Sequence, residues 1–225
     1  MIEKTLKINT KIKKILTLNF EKIYLSKSDF KSTLLTELFW FQEGPGIRNW
    51  QYVTEKGIKF INIKCINEDI LDLQNANMIS VEEATGMYKH FLVEEKDVLV
   101  STSGTLGRNA IVRKCNLPLC MNTSVIRFKP KNENLYSFMY CYLNSLEFIT
   151  KLNSMANGSA QLNFGPTHLK QIEVFVPSNK VLQQFNLQNL ELINIMIRNY
   201  DKIDELTKIK KSYLDKFFRW YKLTL

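Results

Sequence analysis

The sequence predicts an α+β domain with one long helix hung on its C-terminal end, on three observations. Short β-branched runs such as Ile58-Lys59-Phe60-Ile61-Asn62-Ile63 mix with helical stretches, without regular strand–helix alternation. Gly and Pro punctuate the chain only as far as Pro177. From Ser178 to Leu225 there is neither, and Leu192, Met196, Asn199, Ile203, Leu206, Lys210, Tyr213 and Phe217 follow a four-three spacing. About 37 helical residues would span roughly 55 Å. A stripe of that length needs a second surface. It predicts an antiparallel coiled coil with a partner helix, most simply a homodimer, with Leu192, Met196, Ile203, Leu206, Tyr213 and Phe217 as the dimerisation seam. Ile193, Ile197 and Tyr200 widen it. A helix folded back on its own domain fits the same stripe, but would leave much of its length overhanging.

Residues 1–33 form a basic N-terminal segment in which Lys4, Lys7, Lys11, Lys13, Lys14, Lys22, Lys27 and Lys31 interleave with Leu and Ile. That pattern fits an arm, a short helix or an edge strand. The globular domain is read as residues 34–177, and the spacer helix as 178–225. Leu34 to Phe41 reads as a short helix, and Gly44-Pro45-Gly46 as a loop that delivers Ile47-Arg48-Asn49-Trp50-Gln51-Tyr52. Ile58 to Ile63 is a strand. Ser80 to Met87 is a short helix with Ser80 as N-cap and Glu83 closing a capping box. Asp97 to Val100 and Ala110 to Val112 are the arms of a hairpin joined by the Gly-containing stretch Ser101 to Arg108. Asn122 to Phe128 reads as a strand ended by Pro130, and Leu135 to Lys151 as a helix. Ser154 to Gly165 is a polar loop, Thr167 to Gln171 starts a short helix, Ile172 to Val176 is the last strand, and Pro177 closes the domain.

Composition narrows the function classes. The 225 residues are 45% hydrophobic, enough for one substantial core. Lys and Arg number 31 against 22 Asp and Glu, a net charge of +9, which favours a polyanionic partner. Cys65, Cys115, Cys120 and Cys141 form no C-x-x-C pair and His90 and His168 are the only histidines, so a zinc site is not expected and the thiols read as free, in a reducing compartment. There is neither a leader pattern nor an apolar run of membrane-spanning length, and the expected location is cytoplasmic. Gly104-x-x-Gly107-Arg108 lacks the spacing and the lysine of a phosphate loop. No G-x-G-x-x-G, H-E-x-x-H or G-x-S-x-G occurs, and Glu82-Glu83 and Glu94-Glu95 read as solvated acids. The expectation is therefore a non-enzyme without cofactor or metal. His168, alone at a loop end, reads as a cap or hydrogen-bond donor rather than a base.

Six segments in order, followed by the long helix, carry a resemblance. They are Phe41-Gln42-Glu43-Gly44-Pro45-Gly46-Ile47-Arg48; Gly57 to Ile63; Asp97 to Arg108 with its Ser103-Gly104-Thr105-Leu106-Gly107 turn; Leu117-Pro118 through Asn122-Thr123-Ser124; Gly158-Ser159-Ala160-Gln161-Leu162-Asn163-Phe164-Gly165; and Leu169 to Pro177. Together they resemble the specificity subunit of type I restriction–modification systems, over roughly residues 34 to 217. The resemblance implies a target-recognition domain followed by a helix. In the family two such helices pack antiparallel as a spacer, each domain reads one half of a split DNA site, and the subunit directs modification (methyltransferase) and restriction subunits without catalysis of its own. The usual layout has two domains and two helices. Here one of each is read, so pairing of two copies is expected, or else a natural half, a fragment or a remnant.

Side-chain chemistry supplies the expected DNA contacts. Arg48, Asn49 and Gln51 suit bidentate base contacts beside Trp50. Lys64 and Arg108 supply charge, and Ser101, Thr102, Ser103 and Thr105 suit phosphate oxygens. Asn122, Thr123, Ser159, Gln161, Asn163 and His168 complete the set. The Ser-Gly-Thr-Leu-Gly turn recurs in family members that read different sequences, which implies scaffold or backbone contact. The competing reading is a helix-mediated assembly protein with an incidental basic surface. A small metal-dependent nuclease ranks behind both.

Overall fold

The computed structural model describes residues 1–25, 30–156 and 163–223. It joins a strand-rich head to two long helices. Helix α1 (Ile2–Leu25) leads into strand β1 (Lys31–Leu34), the short helix α2 (Leu35–Leu38) and β2 (Phe39–Glu43). Strands β3 (Tyr52–Val53), β4 (Gly57–Ile61), β5 (Ile66–Asn67), β6 (Ile70–Leu71) and β7 (Asn77–Ser80) precede α3 (Val81–Thr85). Then follow β8 (Val98–Ser101), β9 (Asn109–Ile111), β10 (Leu119–Met121), β11 (Val125–Pro130), α4 (Tyr136–Leu143), α5 (Leu146–Ala156), α6 (Pro166–Leu169), β12 (Glu173–Val176) and α7 (Asn179–Leu223). This is the expected α+β architecture with a long C-terminal helix.

Two four-stranded sheets form the head, in the orders β2-β11-β8-β9 and β10-β4-β7-β3. The first is antiparallel throughout; in the second, β10 runs parallel to β4. Leu99, Val125, Ile61, Met121 and Leu119 pack in one cluster that joins the sheets. The β8–β9 hairpin and the capped α3 form as the sequence predicts; Ser80 Oγ accepts from Glu83 N at 3.1 Å.

Several stretches differ from the sequence reading. Leu34 to Phe41, read as a short helix, is helical only over Leu35–Leu38; Phe39 is buried and Trp40 exposed, the two-residue period of a strand, and both pair with β11 as part of β2. Ser154 to Ala156, read into the polar loop, continue α5. Asn122 to Phe128 is not one strand. Asn122 Oδ1 accepts from Ser124 N (2.9 Å) and Ser124 Oγ (2.6 Å), an Asx turn that separates β10 from β11. Leu135 to Lys151 is broken at Asn144-Ser145. Asn144 Nδ2 returns to Tyr140 O, and Ser145 Oγ caps the next helix by accepting from Phe148 N. Residues 2–25, read as an arm, a short helix or an edge strand, form a 24-residue helix.

That helix changes the place of α7. Ile12, Leu16 and Phe20 of α1 share one core with Leu182, Phe185, Ile193 and Met196 of α7, with Phe138 and Tyr142 of α4 and with Phe128 of the sheet. Amides along the seam, Asn9 and Asn189 buried and Asn19 and Asn199 half-buried, set the pairing: Asn19 Nδ2 donates to Asn189 Oδ1 (2.7 Å), Asn9 Nδ2 to Met196 O (3.1 Å) and Asn199 Nδ2 to Asn9 Oδ1 (2.7 Å). Rising numbers on α1 meet falling numbers on α7, so the helices run antiparallel. An amide in an otherwise apolar seam fixes register, because a slip would leave it unpaired. Met196, expected in a dimer seam, is thus buried in the chain's own core, and Leu192 packs against that core. The stripe is real, but the chain itself covers its first half.

Two charged contacts lock the helices to the head. Arg113, buried, donates through Nη1 to Asp201 Oδ1 (2.8 Å) and through Nη2 to Asp204 Oδ2 (2.7 Å). Burial works against its charge, but the Asp204 and Asp201 carboxylates more than offset this, and the guanidinium holds its proton more tightly than usual. Asp69 lies in the two-residue turn Glu68-Asp69 between β5 and β6, where both residues take positive φ (24° and 68°). Its buried carboxylate accepts from Tyr140 Oη of α4 (3.1 Å) and Tyr200 Oη of α7 (3.3 Å), and pairs with Lys13 of α1 at 2.7 Å. Burial, reinforced by this carboxylate, raises both phenol pKa values, that of Tyr200 to about 12, so both hydroxyls remain donors.

Asp69→Asn keeps a side chain that tolerates positive φ but removes the charge and one acceptor. It should lower stability by about 1–3 kcal/mol in urea unfolding and speed amide exchange in α1. An unchanged midpoint with unchanged exchange would show that the helices do not depend on this carboxylate.

Candidate nucleic-acid interface

Five loops meet at one end of the head, and main-chain bonds tie them together. An added Cβ on Gly44 would sit on the carbonyl oxygens of Met121 and Asn122, so only glycine lets the 44–48 loop lie against the 122–124 turn. Asn122 N donates to Ile61 O (2.9 Å), and Ser124 Oγ accepts from Ile63 N (3.2 Å), joining the turn to the 62–65 segment. Thr102 N donates to Ser124 O (3.1 Å), and Phe164 N to Thr102 O (3.1 Å). A bridge pairs Ser103 with Asn163. Gly104 (φ 71°) and Gly107 (φ 73°) supply the left-handed backbone of the 101–108 loop.

The expected contact residues divide by accessibility. Arg48, Asn49, Trp50, Lys64, Thr105, Thr123 and Asn163 are exposed, and Ser103 is half-buried. The others serve the fold. Ser101 and Thr102 are buried, and Ser101 Oγ donates to Thr105 O (2.7 Å) inside its own loop, so neither hydroxyl reaches the surface as expected. Gln51 is not free to read a base: its Oε1 accepts from Arg48 N (2.9 Å), and its Nε2 donates to Glu83 Oε1 and Tyr88 Oη, both at 3.0 Å. Asn122 Oδ1 is occupied by the Asx turn. Arg108 Nη2 donates to Ile63 O (3.0 Å), which ties the glycine-containing loop to the 62–65 segment. His168 Nδ1 accepts from Gly165 N (3.1 Å) and caps α6, the role expected for it as a cap. Ser159 and Gln161 lie outside the described residues.

Sequence reasoning placed Gly44 in a loop and Ser124 in a motif but missed that these two residues hold the loops together. The Asn122-Thr123-Ser124 turn signal was present, but the β-branched run after it drew the strand reading over it. The exposed set joins a guanidinium, an ammonium, amides and hydroxyls on a rigid frame. Such groups donate to phosphate oxygens and to base edges. Among the described residues no cluster of His, Cys, Asp and Glu is placed to hold a metal ion, and no helix is long and apolar enough to cross a membrane.

The long helix leaves the head beyond this frame. From Lys208 to Phe218 every residue of α7 is exposed, Tyr213 at 71%, with Ile209, Leu214, Phe217 and Phe218 also open to solvent. Ile203 and Leu206, the middle of the expected seam, are half-buried.

Comparison with known proteins gives a consistent family. Residues 27–213 match the family described as type I restriction modification DNA specificity domain. The chain is 23% identical over 158 residues to the type I restriction enzyme HindI specificity subunit of Haemophilus influenzae, covering 70% of this chain and 34% of that protein. It is 27% identical over 149 residues to a putative type I specificity subunit of Mycoplasma pneumoniae, covering 64% and 39%. The fold matches the type I restriction–modification S subunit of M. genitalium with a TM-score of 0.62 at 17% identity, and the HsdS subunit of Thermoanaerobacter tengcongensis with 0.56 at 14%. Both matches cover 96% of this chain and about half of the other, 55% and 54%. The chain therefore spans little more than a third of the curated relatives it matches. The family match extends from the end of α1 deep into α7, and the chain belongs to the type I restriction–modification DNA specificity domain family.

Proposed function

We propose that this chain reads one half of a bipartite double-stranded DNA target and directs modification (methyltransferase) and restriction subunits to it, contributing recognition and spacing rather than catalysis, in the cytoplasm. The observation that carries the reading is the convergence of five loops on one face, presenting Arg48, Asn49, Lys64, Thr105, Thr123 and Asn163 to solvent. A net charge of +9 supplies sequence-independent attraction to phosphate. Among these groups, Arg48 is suited to guanine and Asn49 to adenine, while Lys64, Thr105 and Thr123 suit the backbone.

The proposed homodimer forms through the distal part of α7. The first half of the helix is covered by α1 and the head, which moves the seam outward from Leu192 and Met196 to Ile209, Tyr213, Leu214, Phe217 and Phe218. A two-fold pair built there would present the same reading face twice, and so a target with two-fold related halves.

Duplex binding should weaken steeply with salt, because phosphate contacts release counterions. Arg48→Ala should relax the base preference at one position or abolish selective binding, read by selection from a randomised duplex pool. Absence of duplex binding even at low salt would favour the helix-mediated assembly protein instead. Tyr213→Glu with Phe217→Glu should convert a dimer to a monomer in light scattering without lowering the melting temperature of the head. A double variant that remains dimeric would place the seam elsewhere.

A further inference from the structure

Two tryptophans stand at the surface of the head, and the fold explains one of them. The Trp40 ring lies under the Arg127 guanidinium at 4.8 Å and near Lys129 Nζ at 5.9 Å, so it has a structural partner on its own sheet. Trp50 is 81% exposed, and among the described residues it has no ring, cation or side-chain hydrogen-bond partner. Leaving an indole in water forgoes a large gain from burial.

The backbone beneath Trp50 is held firmly. Gln51 N donates to Arg48 O (3.0 Å), Tyr52 N donates to Asn49 O, and the Gln51 side chain closes the turn on Arg48 N. The same side chain pins the turn to Glu83, itself bonded within the α3 cap, and to the buried Tyr88. The fold thus spends a complete side-chain amide on presenting an indole outward, directly after two exposed polar residues, Arg48 and Asn49.

We propose that Trp50 is a specificity-determining residue that packs its indole against bases of the DNA half-site. The inference rests on the DNA-reading function proposed above and assigns this residue its part in it. An uncharged ring gains little from phosphates. It gains from an apolar base surface, either a stacking face or a thymine methyl. A rigid turn loses little conformational freedom on contact, which favours a positioned anchor over an adaptable one. Arg48 and Asn49, the two exposed residues just before it, supply the polar half of the same contact.

The test uses the full chain. Wild type first selects sequences from a duplex pool randomised over its centre. Wild type, Trp50→Ala and Trp50→Phe are then titrated against the selected and the unselected pools at several salt concentrations. Trp50→Ala should weaken binding to the selected pool by about tenfold or more. It should leave binding to the unselected pool, and the salt slope, unchanged, because no phosphate contact is lost. Trp50→Phe should recover most of the loss. The side chain is exposed, so unchanged melting of both variants serves as the folding control. Wild-type affinity of Trp50→Ala for the selected pool overturns the inference, as does an equal loss on both pools; in either case the DNA-reading function stands. If wild type enriches no sequence, that function fails and the role of Trp50 fails with it.

Discussion

The buried carboxylate of Asp69 is the constraint on which the arrangement of helices and head depends. A carboxylate inside a protein needs donors, and here Lys13, Tyr140 and Tyr200 supply them from three different helices. The strained turn that carries Asp69 belongs to the head, and Asp69 N donates to Asn109 O at the start of β9. The Asn109 side chain in turn holds the carbonyl of Gly107 in the 101–108 loop. A short run of bonds therefore connects the end of the 101–108 loop to α1, α4 and α7. Moving α7 relative to the head would strand at least one donor of this group.

Only Pro177 and Ser178 separate the last strand from α7, and Arg113 grips Asp201 and Asp204 some six turns further on. The first part of α7 is thus a wall of the domain, not a tether attached to it. The 45-residue helix is about 65–70 Å long by its rise per residue, and its distal part extends past α1 with an aromatic and aliphatic stripe in solvent. For a proposed spacer this division has a mechanical meaning. The anchored half sets the direction of the helix relative to the reading face, and the open half sets how far away a second head would stand.

Much of this was legible in the residues. The hairpin of β8 and β9, the capped α3, the last strand and the long helix each follow from local pattern, because hydrogen-bonding side chains and apolar period act within a few residues. The order of six short segments pointed to the family now supported by the match over residues 27–213. Helix α1 was only half legible. Ile12, Leu16, Phe20 and Ile23 repeat at helical spacing with no Gly or Pro among them, but the lysines between them masked the stripe. In the loops, residue type alone did not separate Arg48, which faces solvent, from Gln51 three residues on, which braces the turn from inside.

By itself the sequence determined that a long helix would form, that its apolar stripe would require cover, and that the loops would carry cationic, amide and hydroxyl groups. These are consequences of backbone propensity and composition. Only the tertiary structure decided what covers the stripe and which polar groups remain free. An apolar face at helical spacing is satisfied equally by a second chain or by a neighbouring helix of the same chain, since hydrophobic burial carries no label for its partner. The buried amides Asn9 and Asn189, their half-buried partners Asn19 and Asn199, and the Asp69 carboxylate settle the matter for the first half of α7, because each has partners in one antiparallel register of α1 against it.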